Sequence, residues 1–167
     1  MRHLIIPAIL PLLLLSALPA KAQMITITPD QIGQIFCIGS LGNDMAPVEA
    51  LLTPDLSATV ADAWVKNAAF EAANPGEKPP LGDGLPWRSW QDYADGCTIA
   101  DGEVEREAAS VVINYTFADA PEADYINFLV LRPVNMAAGA EVVWRIDDID
   151  LGEGNTFRSI LADAFGP

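Results

Sequence analysis

The sequence predicts an α+β fold in which N-terminal helices cover one face of an antiparallel sheet of about four strands and a short helix ends the chain. Two observations lead to this prediction. Apolar residues recur at helical spacing in the first half of the chain, whereas from Cys97 onward apolar and polar residues alternate with the period of a strand. Helices followed by a run of strands are typical of α+β domains.

The first 22 residues have the pattern of a secretory signal peptide. A basic start at residues 1–3 precedes an apolar run at residues 4–18 and small residues at 20–22. The alternative is a membrane anchor, but fifteen apolar residues interrupted by two prolines fall short of the roughly 20 that span a bilayer. We therefore expect cleavage after Ala22, export to the periplasm or the extracellular space, and a single α+β domain over residues 23–167.

Cleavage would remove the only histidine, His3, together with Arg2 and Lys21. Seven basic residues would then face 23 acidic ones, and the net charge would move from −14 to −16. Catalytic triads and most zinc or iron sites need a histidine. An acidic surface repels phosphate backbones and anionic lipids. We therefore expect no cofactor, no nucleic acid partner and no membrane association after cleavage.

Cys37 and Cys97 are the only cysteines, and no CxxC spacing indicates redox catalysis. In an oxidising compartment we expect these two residues to form a structural disulfide. The alternative is a pair of separate buried thiols, which pack as small apolar side chains.

Three helices are predicted before the sheet. Thr28 is followed by Pro29 and Gln31, a capping box that starts the first helix, and Gly39 to Gly42 ends it. The pair Asn43–Asp44 can cap a short second helix. The third begins at Thr53 and places one apolar stripe on the core, formed by Leu56, Val60, Trp64 and Ala68.

A loop is predicted over residues 74–86, which contain four prolines and three glycines. It leads directly into an aromatic cluster at Trp87, Trp90 and Tyr93. Two interpretations remain open: the rings cover an open end of the core, or they form a lid or recognition surface.

Strands are predicted at 109–117, 125–132 and 141–149, the middle one central in its sheet because it is apolar on both faces. In the earlier stretch, 98–106, Asp101–Gly102 is either a hairpin turn or a bulge within one longer strand, and we favour the bulge. We also predict a turn at residues 135–139 and a closing helix that is capped by Asn155.

Several strings in this order resemble the cone-shaped α+β superfamily of nuclear transport factor two-like, or cystatin-like, proteins, and within it a group of small uncharacterised secreted bacterial proteins. They are residues 51–56 (LLTPDL), 90–93 (WQDY), 144–149 (WRIDDI) and 157–161 (FRSIL). The resemblance implies a strongly curved sheet that wraps against helices around a conical pocket. It implies no single activity, because this fold supports isomerases, dehydratases, carriers and interaction modules.

Enzymes of this superfamily place a carboxylate inside the cone, often with a histidine or tyrosine. Without a histidine, proton transfer here would require a buried Asp and a Tyr hydroxyl, and the catalytic candidates are Asp92, Asp147 and Tyr115. The simpler interpretation is that Asp92 caps a turn and that Asp147 ends a strand. Candidate binding residues are Trp90, Tyr93 and Trp144.

We expect a non-catalytic extracytoplasmic binding module for a small apolar ligand or a protein partner. The sequence offers no workable set of catalytic residues, but it contains many aromatic residues that could line a pocket. Six rings are candidates to line a pocket: Phe36, Trp64, Trp90, Tyr115, Phe128 and Trp144. One alternative is a carboxylate-based isomerase or lyase. Another, suggested by the charge, is an acidic inhibitor of a basic secreted protein. The resemblance also allows a homodimer through an exposed sheet face.

Overall fold

The computed structural model describes residues 26–90, 92–135 and 142–166. They form an α+β fold in which helices precede a five-stranded antiparallel sheet and a short helix follows it. The predicted signal peptide and most of the turn predicted at 135–139 lie outside these ranges. The elements are α1 Pro29–Gly42, α2 Ala46–Glu49, α3 Pro54–Ala73, β1 Gly96–Ala100, β2 Ala109–Thr116, β3 Tyr125–Asn135, β4 Val142–Gly152, β5 Asn155–Thr156 and α4 Phe157–Asp163.

The two long helices begin where the Thr-Pro pairs predict. Thr28 and Gln31 form a capping box at α1, and the Thr53 hydroxyl accepts a bond from the Leu56 amide at α3. Asn43 does not start α2: it ends α1 in the left-handed conformation, with φ 51°. Helix α2 begins at Ala46, whose amide donates to Asp44 Oδ1, so Asp44 alone of the predicted capping pair contacts the start of this helix.

The buried stripe of α3 differs from the predicted one in its second half. Leu56 and Val60 are buried as expected, but Ala63 and Asn67 continue the stripe, and Trp64 is 41% exposed. Each four-residue step overshoots a full turn of the 3.6-residue helix, so a stripe written only in fours drifts away from the core. Trp64 consequently lies on the solvent side.

The strands follow one another as a meander in the order β1-β2-β3-β4-β5, with β3 in the centre as predicted. The inward face of the sheet packs against the helices through apolar side chains, including Val111 and Leu129, which are opposite each other. On the outer face Ile126 and Phe128 remain exposed. One apolar face of β3 therefore packs in the core, and the other faces solvent.

A bulge in β4 changes which residues face inward. Leu131 is opposite Ile146 whereas Val130 is opposite Asp148, which leaves Asp147 as the extra residue. Ile146 and Ile149 are both fully buried as a result.

Three details of the predicted sheet are corrected. Strand β1 ends at Ala100, so Asp101–Gly102 is neither a bulge within a longer strand nor a two-residue hairpin turn but the start of a longer connection. That connection folds back through a bridge between Val104 and Ala109. A fifth strand follows β4, and because Asn155 belongs to it, Thr156 rather than Asn155 caps α4.

Cys37 and Cys97 are joined by the predicted disulfide, and their Cα atoms are 5.4 Å apart. The bond ties α1 to the edge strand β1. Phe36, Val111 and Ile113 belong to the same buried core as Cys37.

Candidate functional site

A cleft of about 1080 Å³ opens between the long connection (residues 74–90 and 92–95), the C-terminal end of α1, and the β4–β5 turn with α4. Its walls carry both polar and apolar groups. The connection contributes residues 80–81, 83–90 and 92–93; α1 and its end contribute Ser40, Asn43 and Met45; β3 and the turn before it contribute Ala123, Tyr125 and Ile126; and the C-terminal part contributes residues 151–153, 155, 160 and 164.

The long connection is held in place although it lacks helix or strand. The buried Asn67 of α3 accepts a bond from the Leu81 amide, at 2.8 Å. Trp87 is buried and stacks on Phe157 of α4, with ring centroids 4.6 Å apart. Of the two interpretations of the aromatic cluster, Trp87 thus fits a cover over the core. Trp90 and Tyr93 do not, because each is more than half exposed.

Asn127 fixes the part of the connection that borders the cleft. This fully buried side chain lies on the inward face of β3, where it accepts a bond from the Ser89 amide (3.3 Å) and donates one to the Ser89 hydroxyl (2.9 Å). Arg88 next to it donates from Nη1 to the carbonyl of Ser40 in α1, at 3.3 Å. The sheet and α1 therefore set the backbone that presents Trp90.

Replacing Asn127 with Ala is expected to lower the free energy of unfolding by about 1–3 kcal/mol, because the Ser89 amide loses its partner in a partly buried site. The Ser89 amide should also exchange with deuterium faster. Ser89→Ala is the matched control, since it removes only the hydroxyl and leaves the bond from the amide intact. Equal exchange rates in both variants would contradict this role of Asn127.

Trp90, Asp92 and Tyr93 lie together in the cleft wall. Trp90 Nε1 donates to Asp92 Oδ2 at 3.1 Å, and the Arg88 guanidinium lies 4.7 Å from the centroid of the Tyr93 ring. A cation at this distance from an aromatic face is attracted by the ring quadrupole. The connection thus offers aromatic surface, a carboxylate and a guanidinium within a few residues of one another.

Tyr115 and Tyr125 are stacked, with ring centroids 4.7 Å apart, and Tyr125 lines the cleft. The Tyr115 hydroxyl donates to Ser40 Oγ at 3.0 Å, and burial raises the pKa of Tyr115 to about 12. Burial also raises the pKa of Tyr125, whose hydroxyl oxygen has no hydrogen-bond partner among the described residues. Both phenols are therefore protonated at neutral pH and can act only as donors or weak acceptors.

The three catalytic candidates do not meet at one point. Asp92 is exposed in the cleft wall, whereas Tyr115 is buried and bonded to Ser40. Asp147 lies outside the cleft, where it bonds to Thr53, Arg132 and Arg158. Burial alone would raise its pKa, but the hydrogen bonds from Thr53 and Arg132 and the charge of Arg158 outweigh burial and lower it. A carboxyl held ionised in this way is a poor proton acceptor.

The binding candidates also separate. Trp90 and Tyr93 line the cleft, but Trp144 is half-buried against the core and lies outside the cleft lining. Of the six rings proposed for a pocket, Trp90 alone belongs to this cleft. Phe36 and Tyr115 fill the core, and Trp64 and Phe128 face solvent.

Sequence reasoning did not find Arg88, Ser40 and Asn127, which also shape the site. The one local signal was the placement of Arg88 and Ser89 between two tryptophans. The partners of these two residues are 48 and 38 positions away along the chain.

Within the described ranges, no cluster of three or more His, Cys, Asp or Glu side chains could hold a metal ion. None of the helices in this part of the chain is long and apolar enough to cross a bilayer.

The fold and the cleft define an α+β protein with an aromatic and acidic surface cleft. Comparison of the chain with family models, with curated proteins and with solved structures finds no match.

Proposed function

We propose that this protein is an exported, non-catalytic binding module that holds a small ligand in the cleft beside the long connection. The observation that carries the proposal is a cleft of about 1080 Å³ whose wall exposes Trp90 and Tyr93. Ligand sites are concave, combine apolar surface with a few placed polar groups, and are largely formed before binding. The bonds that anchor Leu81, Arg88 and Ser89 supply that preformed backbone.

The proposal includes export of the protein and membership of the cone-shaped superfamily. The sequence features that indicate each of these are consistent with a binding role. The leader pattern at residues 1–22 accounts for export. The order of helices, meander and closing helix agrees with the resemblance. However, the lining of the cleft includes Ser40, Asp92 and Glu153, so a ligand that carries polar groups fits it better than a purely apolar one.

A carboxylate-based isomerase or lyase remains the alternative function. It would need a carboxyl made basic by burial and placed opposite a phenol. Asp92 is exposed and already accepts a bond from Trp90, and the pKa of Asp147 is lowered rather than raised. These contacts favour binding over proton transfer.

Filling the cleft tests the proposal. Ala123 lines the cleft, and Ala123→Trp would occupy part of its volume. Ala61→Trp, on the exposed side of α3, is the matched control. Native mass spectrometry of protein from its own compartment, supplemented with a small-molecule extract of that compartment, should show an added mass on the wild type and on Ala61→Trp. Occupancy should fall at least about tenfold in Ala123→Trp.

Two outcomes would overturn the proposal. One is a wild-type protein without added mass, and the other is an added mass that Ala123→Trp retains in full. Circular dichroism and thermal unfolding of the two variants verify that each is folded before the comparison is made.

A further inference from the structure

The charges that line the cleft are unequally engaged. Asp83 pairs with Lys78, and Arg88 is bonded to the Ser40 carbonyl and stacked on Tyr93. Asp92 and Glu153 form no ion pair with any described residue, and Glu153 is exposed at the β4–β5 turn. The cleft therefore has two carboxylates that form no ion pair among the described residues.

The same cleft exposes aromatic faces. Trp90 is 54% and Tyr93 is 53% exposed, although large aromatic rings usually contribute most of their surface to a core or an interface. One cation already occupies this surface, since the Arg88 guanidinium lies 4.7 Å from the Tyr93 centroid. The side chain of Arg88 thus shows that a cation fits against the Tyr93 ring.

Resting on the function proposed above, we propose that the ligand of this cleft is an organic cation of the ammonium class. Its head group lies against the rings of Trp90 and Tyr93, and Asp92 and Glu153 balance its charge. Aromatic faces are the usual means by which proteins bind quaternary ammonium groups.

The structure favours this ligand class over two others. A metal ion needs several oxygen ligands at close range, and the described part of the chain contains no such cluster. An anion would be repelled by Asp92 and Glu153, the two carboxylates of the lining without an ion pair, and by a net charge of −14 over the whole chain.

Choline and its uncharged analogue 3,3-dimethylbutan-1-ol are suitable probes, because they have nearly the same shape and differ in charge. Isothermal titration at low ionic strength should give saturable binding of choline and at least about tenfold weaker binding of the alcohol. Binding of choline should weaken as salt is added, since part of the attraction is electrostatic.

Matched variants localise the binding. Trp90→Ala should weaken choline binding by about 3- to 30-fold, whereas Trp64→Ala, which removes a half-exposed ring outside the cleft, should not change it. The double variant Asp92→Asn, Glu153→Gln should weaken binding by a similar factor. Asp92→Asn keeps an acceptor for Trp90 Nε1, so the ring can stay in place.

Three results would overturn the inference: no saturable binding of choline below about 10 mM, equal binding of the uncharged analogue, or no effect of Trp90→Ala. Each of these is distinct from failure of the proposed function. If Ala123→Trp loses the native ligand and the wild-type protein does not bind choline, the cleft is still a binding site, but for a ligand of another class.

Discussion

Replacing Cys37 and Cys97 together with Ala is expected to lower the free energy of unfolding by about 4 kcal/mol. The two residues are 60 positions apart, so their bond closes a long loop that includes α2, α3 and the long connection. In the chain-entropy model, the stabilisation comes from restricting the unfolded chain and grows with the logarithm of loop length. This effect is large, because most single substitutions lower the free energy of unfolding by only about 0.5–3 kcal/mol.

Urea denaturation followed by tryptophan fluorescence measures this loss. The midpoint should fall by roughly 2 M for a slope of about 2 kcal/mol per molar urea. The wild-type protein under a thiol reductant is the control, because it loses the bond without any change in sequence, and its midpoint should fall by nearly the same amount. A loss below about 1 kcal/mol in both samples would contradict a restraining role for the disulfide.

Much of the fold could be predicted because its signals are local. The capping residues Thr28 and Thr53 come directly before a proline, and each helix start depends on contacts within four residues. Strand β2 was recognisable from the alternation of its residues, and β3 from a short run that is apolar on both faces. The disulfide followed from counting cysteines, since only one pairing exists.

The candidate site was only partly predictable, because its parts are distant in sequence. Trp90, Asp92 and Tyr93 were found together since they are neighbours in the chain. Trp144 and Asp147 were candidates because of residue type, but the strand that carries them turns them away from the cleft. Asn127 is a polar residue on the buried face of a strand. Its role, hydrogen bonding to Ser89, can be recognised only from the structure, because the two residues are distant in sequence.

The bulge in β4 illustrates why the role of Asp147 could not be foreseen. An extra residue in a strand leaves no fixed sequence signal, and it shifts every following side chain to the other face. The sequence predicted a carboxylate that accepts bonds from backbone amides at a strand end. In the structure its carboxylate oxygens instead accept bonds from three side chains, which belong to the start of α3, to β3 and to α4.

Replacing Asp147 with Asn is accordingly expected to lower the free energy of unfolding by about 2 kcal/mol at pH 7, since it removes the charge that Arg132 and Arg158 share. The side chain is 21% exposed, so water replaces these bonds only in part. The contacts of Arg158 should be disturbed most. This side chain is half-buried and also donates to the Asp147 carbonyl and to Thr59. Asp62→Asn is the control: its i,i+4 pair with Lys66 is exposed, and we expect a change within about 0.5 kcal/mol.

The difference in unfolding free energy between wild type and Asp147→Asn should depend on pH. This dependence distinguishes the loss of the carboxylate charge from the effect of introducing an amide donor. The pKa of Asp147 is lower in the folded protein than in the unfolded chain, where an Asp titrates near about 3.9. A lowered pKa means that the ionised carboxyl stabilises the fold above the unfolded value, and that this contribution is lost as pH falls through the folded pKa. The difference in unfolding free energy should therefore be constant between about pH 7 and pH 5 and shrink below about pH 4. A difference that persists undiminished at pH 2.5 would mean that the ion pairs contribute little, and that Asn destabilises the protein by misplacing an amide donor opposite Arg132 or Arg158.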